Sequence, residues 1–105
     1  MTTYIQDTPR PELRDGLLPD VNTLVRFVHQ APKGSRRVYH RGFLSKDRYA
    51  APEGRHVAKD SVLWPRVVID LKAKAALHFA ETGEAILTQR RVGVCEFDYL
   101  ITVAW

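Results

Sequence analysis

The clearest hydrophobic period in the chain runs from Val67 to Phe79, where Val67, Val68, Leu71, Ala75 and Phe79 recur at intervals of three and four. Residues so spaced share one side of a helix, in an arc of roughly 120° that is wide enough to cover a core. Pro65 suits the first helical position, where its missing N–H costs no hydrogen bond, and Gly83 supplies the stop. Arg66, Asp70, Lys74 and Glu81 fall on the opposite side, with Asp70 and Lys74 an i,i+4 pair. Ile69, Ala73, Ala76 and Ala80 make a second, small-residue face that a further helix can approach closely. His78 lies at the edge of the apolar arc and reads as a satisfied core residue rather than a base.

Beyond Gly83 the period shortens to that of strands. Ala85 to Arg91 and Glu96 to Trp105 read as a hairpin around Gly93. A turn at Gly93-Val94 and a four-residue loop from Val92 to Cys95 imply the same register. It sets Arg91 opposite Glu96, Thr88 opposite Tyr99 and Ile86 opposite Ile101. One face then carries Ile86, Thr88, Phe97, Tyr99, Ile101 and Val103. The other pairs Gln89 and Arg91 with Asp98 and Glu96.

Upstream, Asp20 or Asn22 can cap a helix whose inner face is Val21, Leu24, Val25 and Val28, widened by Phe27. Pro32 and Gly34 end it, and His29 near its C-terminus suits the helix dipole. Arg37 to Leu44 is rich in β-formers. Val38, His40, Gly42 and Leu44 lie on one side and Tyr39, Arg41 and Phe43 on the other, a mixed pattern that suits an edge strand. Ser45 to Gly54 reads as a loop, and a short helix is predicted over Arg55–Leu63. Residues 1–19 hold three of the six prolines and read as an irregular arm, in which Tyr4 and Ile5 can add a short strand or pack on the body. The predicted fold is α+β, with two to three helices packed on a small three-stranded antiparallel sheet that ends in a C-terminal hairpin. It forms one domain over 20–105.

That order of elements resembles a winged-helix domain, and Ala76-Leu77-His78-Phe79-Ala80-Glu81-Thr82-Gly83-Glu84-Ala85-Ile86-Leu87 looks like the end of its third helix entering the first wing strand. The hairpin segments Leu87–Arg91 and Phe97-Asp98-Tyr99 are also similar to small uncharacterised proteins of temperate phages and prophages. The winged-helix resemblance implies a long helix entering the major groove, with Arg90 and Arg91 at the wing. This sequence departs from the pattern: Asp70 and Glu81 interrupt the exposed side of the helix, and Glu96 and Asp98 offset the wing arginines.

Charge moves the expected working surface elsewhere. The net charge is +4, and residues 31–59 carry eight bases (Lys33, Arg36, Arg37, Arg41, Lys46, Arg48, Arg55 and Lys59) against only Asp47 and Glu53. Phosphate contact needs such an uncompensated surface. Arg36, Arg37 and Arg41 interleave with Tyr39 and Phe43, as in stacking surfaces for nucleic acid. The aromatics read more readily as core than as contacts. The candidate binding residues are Arg36, Arg37, Tyr39, Arg41, Lys46, Arg48, Arg55, Arg90 and Arg91.

Catalytic and cofactor motifs are absent from the sequence. It contains no GxxxxGK[ST], GxGxxG or GxSxG, and His29, His40, His56 and His78 lack metal-ligand spacing. Cys95 has no partner for a disulfide, which suits a reducing compartment. The N-terminus lacks the basic and apolar regions of a signal peptide, and no apolar run approaches membrane-spanning length. The expectation is a cytoplasmic, non-enzymatic protein without cofactor or metal that binds DNA or RNA, in the manner of a phage or prophage regulator. The alternative is a protein-binding inhibitor of a host defence nuclease, of anti-CRISPR type, facing an acidic or nucleic-acid-binding host protein. Homodimerisation, through the alanine face or the open hairpin edge, is compatible with both.

Overall fold

A computed structural model describes residues 16–49, 51–52 and 57–105. Within them the chain runs α1 (Val21–Gln30), β1 (Arg36–Gly42), α2 (Leu44–Asp47), α3 (Trp64–Glu81), β2 (Ala85–Gly93) and β3 (Glu96–Val103). The fold is α+β, and the antiparallel sheet has the order β1-β3-β2, so the last strand lies in the middle.

Asp20 starts α1 with a reciprocal cap. Its carboxylate accepts the Thr23 N–H at 2.9 Å, and the Thr23 hydroxyl accepts the Asp20 N–H at 3.2 Å. Two N–H groups that the first turn would leave bare are thereby satisfied. Leu24 and Val28 are closed to solvent and meet Tyr39, Ala76, Phe79, Ala85 and Ile101 in the core. Each of the larger aliphatic side chains contributes about 1.5–3 kcal/mol by leaving water. Leu18 joins this core from the segment before α1. Its N–H donates to the Val38 carbonyl at 3.0 Å, and its own carbonyl accepts from Lys72 Nζ at 3.0 Å. Lys72 is 3% exposed, and burial pushes its ammonium below the ordinary lysine value against the pull of Asp20.

Four sequence expectations are corrected. The described part of the helix predicted over Arg55–Leu63, residues 57–63, forms turns and bends; the short helix lies instead at Leu44–Asp47, from the last residue of the predicted strand into the predicted loop. On α3 the buried residues are Val67, Asp70, Lys72, Ala73, Ala76 and Phe79, while Leu71 is 37% exposed. The face is turned from the predicted one because Asp70 and Lys72 have partners that let them leave water. The alanine face is part of the protein's own core and is not open to a second copy.

Both remaining corrections come from bulges. In the hairpin Arg91 pairs with Phe97, yet Gly93 pairs with Glu96, so Val92 is one residue too many. The register is Leu87 with Ile101 and Gln89 with Tyr99, one step from the predicted one. A one-residue slip reverses a strand's faces. Ala85 and Leu87 therefore turn inward and Ile86 outward, 55% exposed. In β1 a second irregularity lies between Val38 and His40. It resets the alternation, so Tyr39 and His40 are both buried and Arg41 shares a face with Asp98 of β3.

Candidate nucleic-acid interface

Asp98 is fully buried at the centre of the sheet, in register with Arg41 on one side and Arg90 on the other. Arg41 grips it with a two-pronged fork, Nε to Oδ1 at 2.5 Å and Nη2 to Oδ2 at 2.8 Å, and Arg90 Nη2 donates to Oδ2 at 2.7 Å. Burial alone raises a carboxyl pKa, but these donors outweigh it and hold Asp98 below the ordinary 3.8. Two of the predicted binding arginines are thus spent on one buried acid. They cross-link all three strands on the face that alternation turns away from Ile101 and the helices.

On the inner face, α2 is a single turn, too short to be stable by itself. Polar contacts clamp it to the sheet. His40 and Asp47 share a 2.6 Å hydrogen bond, Asp47 Oδ2 also accepts the Phe43 N–H at 3.1 Å, and Tyr99 Oη accepts the Leu44 N–H at 3.0 Å. Gly42 makes the clamp possible. Its φ is +144°, and a Cβ there would collide with Asp47 Oδ2. From the end of α2, Arg48 reaches Asp70 of α3 at 2.6 Å, and Lys74 completes the pair at 3.0 Å. Burial opposes ionisation of Asp70, but the lysine and arginine hold its carboxyl below 3.8.

Clamped there, α2 overhangs an open cavity of about 450 Å³ lined by Leu44, Ser45, Arg48 and Tyr99. Along the same face of β3 the rings continue toward the hairpin tip. Tyr99 and Phe97 have centroids 6.2 Å apart, and Phe97 meets Phe43 at 6.4 Å. Phe43 is 40% exposed. Arg91, exposed and paired with Phe97 across the strands, borders these rings from β2; Lys46 is exposed on α2. The result is a groove with an aromatic floor and cationic margins. Its nearby acids, Asp47 and Asp70, are engaged by His40, Arg48 and Lys74.

The predicted site residues are therefore divided. Arg36 is exposed at the start of β1, and Arg37 donates to the Gly16 carbonyl at 3.4 Å with its guanidinium over the Phe27 ring at 5.8 Å. Tyr39 is core, 4% exposed, and burial, reinforced by Tyr99, pushes its phenol up to about 12. Arg41 and Arg90 serve Asp98. Lys46, Arg48 and Arg91 border the groove, and Arg55 lies outside the described residues. Sequence reasoning missed Phe97, His40 and Asp47 as parts of one arrangement. The signal available was Gly42 two residues after a histidine and directly before a phenylalanine; the rest required the strand register.

Among the described residues, no group of three His, Cys, Asp or Glu could hold a metal ion, and no helix is long and apolar enough to cross a membrane. No protein-family model, curated protein or solved structure matches the chain.

Proposed function

We propose that this protein binds nucleic acid, with phosphates passing Lys46 and Arg91 along the groove between α2 and the hairpin. The observation that carries the reading is that Lys46 and Arg91 flank the exposed Phe43 ring and the half-buried Phe97 ring while the adjacent acids are internally paired. The order of elements and the pairing of β1 with β3 support a winged-helix-like arrangement. The contact mode proposed here is not that of a helix in the major groove. The free side of α3 carries Leu71, Leu77 and Glu81; its Lys74 is tied to Asp70, and Arg66 near its start donates to the Tyr49 carbonyl.

Two phosphate contacts imply a slope of roughly −1.4 in log K against log salt for a single strand, or an affinity loss of roughly 7-fold between 50 and 200 mM. Fluorescence anisotropy with labelled single-stranded and duplex oligonucleotides at both salts measures it. Absence of salt-sensitive binding to every oligonucleotide overturns the reading.

A second reading, inhibition of a host protein, is favoured by Leu71 and Leu77, 37% and 53% exposed on the free side of α3. Its expected result is one stoichiometric partner, retained after nuclease treatment, whose capture is lost on Leu71→Asp with Leu77→Asp. Capture that ends with nuclease treatment removes it.

A further inference from the structure

We infer that the nucleic acid this groove accepts is single-stranded, with an unpaired base stacked on the exposed Phe43 ring beside Phe97. The inference rests on the nucleic-acid reading above and adds the substrate class. Three observations carry it.

The first is the placement of the rings. A phenylalanine 40% exposed beside α2 loses hydrophobic stabilisation that an inward position would provide, and Phe43 caps nothing through its side chain. Its ring meets Phe97 at a 66° interplanar angle with centroids 6.4 Å apart, so the two rings do not stack face to face on each other. The second is the neighbouring backbone. Phe97 lies opposite Gly42 of β1 on one side and Arg91 of β2 on the other, so of its two cross-strand partners only Arg91 brings a side chain beside the ring. The third is where the charge is missing. A duplex presents two backbones and needs cations on α3 as well as on the hairpin. Of the α3 cations, Lys72 is buried, Lys74 is committed to Asp70 and Arg66 donates to the Tyr49 carbonyl at 3.0 Å, while Arg90 is committed to Asp98 on the opposite sheet face. A single strand needs only one line of cations beside a stacking surface, and the exposed Lys46 and Arg91 with Phe43 and Phe97 provide it.

The test uses the full chain with fluorescent 12-nucleotide oligo-dT, oligo-U and a mixed-sequence duplex, titrated at 50 and 200 mM salt. Either single strand is expected to bind at least 10-fold more tightly than the duplex, and the two arms distinguish DNA from RNA. Phe43→Ala, at an exposed site, is expected to weaken single-strand binding by roughly 5- to 150-fold, the effect of losing one stacked base, with the salt slope unchanged. Lys46→Ala should instead lower the slope by about 0.7. Photo-cross-linking of the unaltered protein to oligonucleotides carrying 5-iodouracil keeps the result independent of any variant's folding. Cross-links are expected on Phe43, Phe97 or Tyr99. Equal or tighter duplex binding, with Phe43→Ala neutral and cross-links elsewhere, overturns the single-strand inference and leaves nucleic-acid binding intact. Failure to bind any of the three at either salt overturns both.

Discussion

Replacing Asp98 by Asn keeps the shape of the side chain and removes the charge that two arginines share. At the centre of the sheet Asp98 accepts three hydrogen bonds, two from Arg41 and one from Arg90. Asparagine retains one acceptor oxygen and presents an NH2 group to a guanidinium, so at least one donor loses its partner. Removing one member of a buried ion pair costs about 3–5 kcal/mol, most of it from the charge left behind. Arg90 is 45% exposed in its side chain and can turn to water, whereas Arg41 is only 14% exposed and cannot. The lower end of the range therefore applies, about 3 kcal/mol. In a domain of this size that lowers Tm by roughly 12–24 °C. Because the folded-state pKa of Asp98 is depressed, the unfolded chain binds more protons, and the contribution is present at neutral pH and lost as pH falls below the ordinary carboxylate range. Urea melts at pH 7 and pH 3 are the assay: wild type should lose much of its advantage over the Asn variant at the lower pH. A variant within 0.5 kcal/mol of wild type at pH 7, or a gap that persists unchanged at pH 3, would refute the cross-link as described. Binding gives a second check. Asp98 faces away from the groove, so oligonucleotide affinity of the folded variant should change less than about two-fold.

Four other outcomes follow from the same contacts. Gly42→Ala places a methyl against Asp47 at a positive φ and should cost about 2 kcal/mol or more, with faster hydrogen exchange at residues 43–48. Tyr99→Phe removes the acceptor of the Leu44 N–H and should cost about 1 kcal/mol in urea denaturation. In a spectrophotometric titration one tyrosine, Tyr39, should ionise near 12 rather than 10, and Tyr39→Phe should delete that step. Cys95 holds a φ of +53° in the hairpin turn, so Cys95→Gly should raise stability by about 0.5–1 kcal/mol; its exposed thiol should react with a water-soluble maleimide in the native protein.

What the sequence made legible was set by local rules. Asp20 caps α1 because Thr23 stands three residues on, and Gly83 ends α3 at a φ of +82°. The inward set of β3, Tyr99, Ile101 and Val103, follows from strict alternation. The illegible parts depend on single extra residues or distant partners. Val92 and the irregularity after Val38 each move one strand by a step, and nothing in composition marks either site. Asp70 looked like a solvent-facing helix residue because its partner Arg48 is 22 positions away. For α2 there was no period to find, since one turn held by His40, Tyr99 and Arg48 needs only those three contacts. The basic block was visible as charge, but only the strand faces determine which of its members point together.

Those faces also bear on what the charge is for. A surface made for non-specific adhesion would spread Arg36, Arg37, Arg41, Lys46 and Arg48 along one side and leave them to solvent. Here the chain directs Arg41 and Arg90 to one buried carboxylate and Arg48 to another, at the desolvation cost that buried ions carry. Apolar residues at positions 41, 90 and 98 would hold three strands together without that cost. An ionic cross-link adds direction: the Arg41 fork meets Asp98 only in one register, which fixes the hairpin against β1 and with it the distance from Phe97 to Phe43. The paired arginines are therefore best understood as setting the geometry of the groove on the opposite face, and on the proposed nucleic-acid reading the exposed Lys46 and Arg91 are the charges left to meet the ligand.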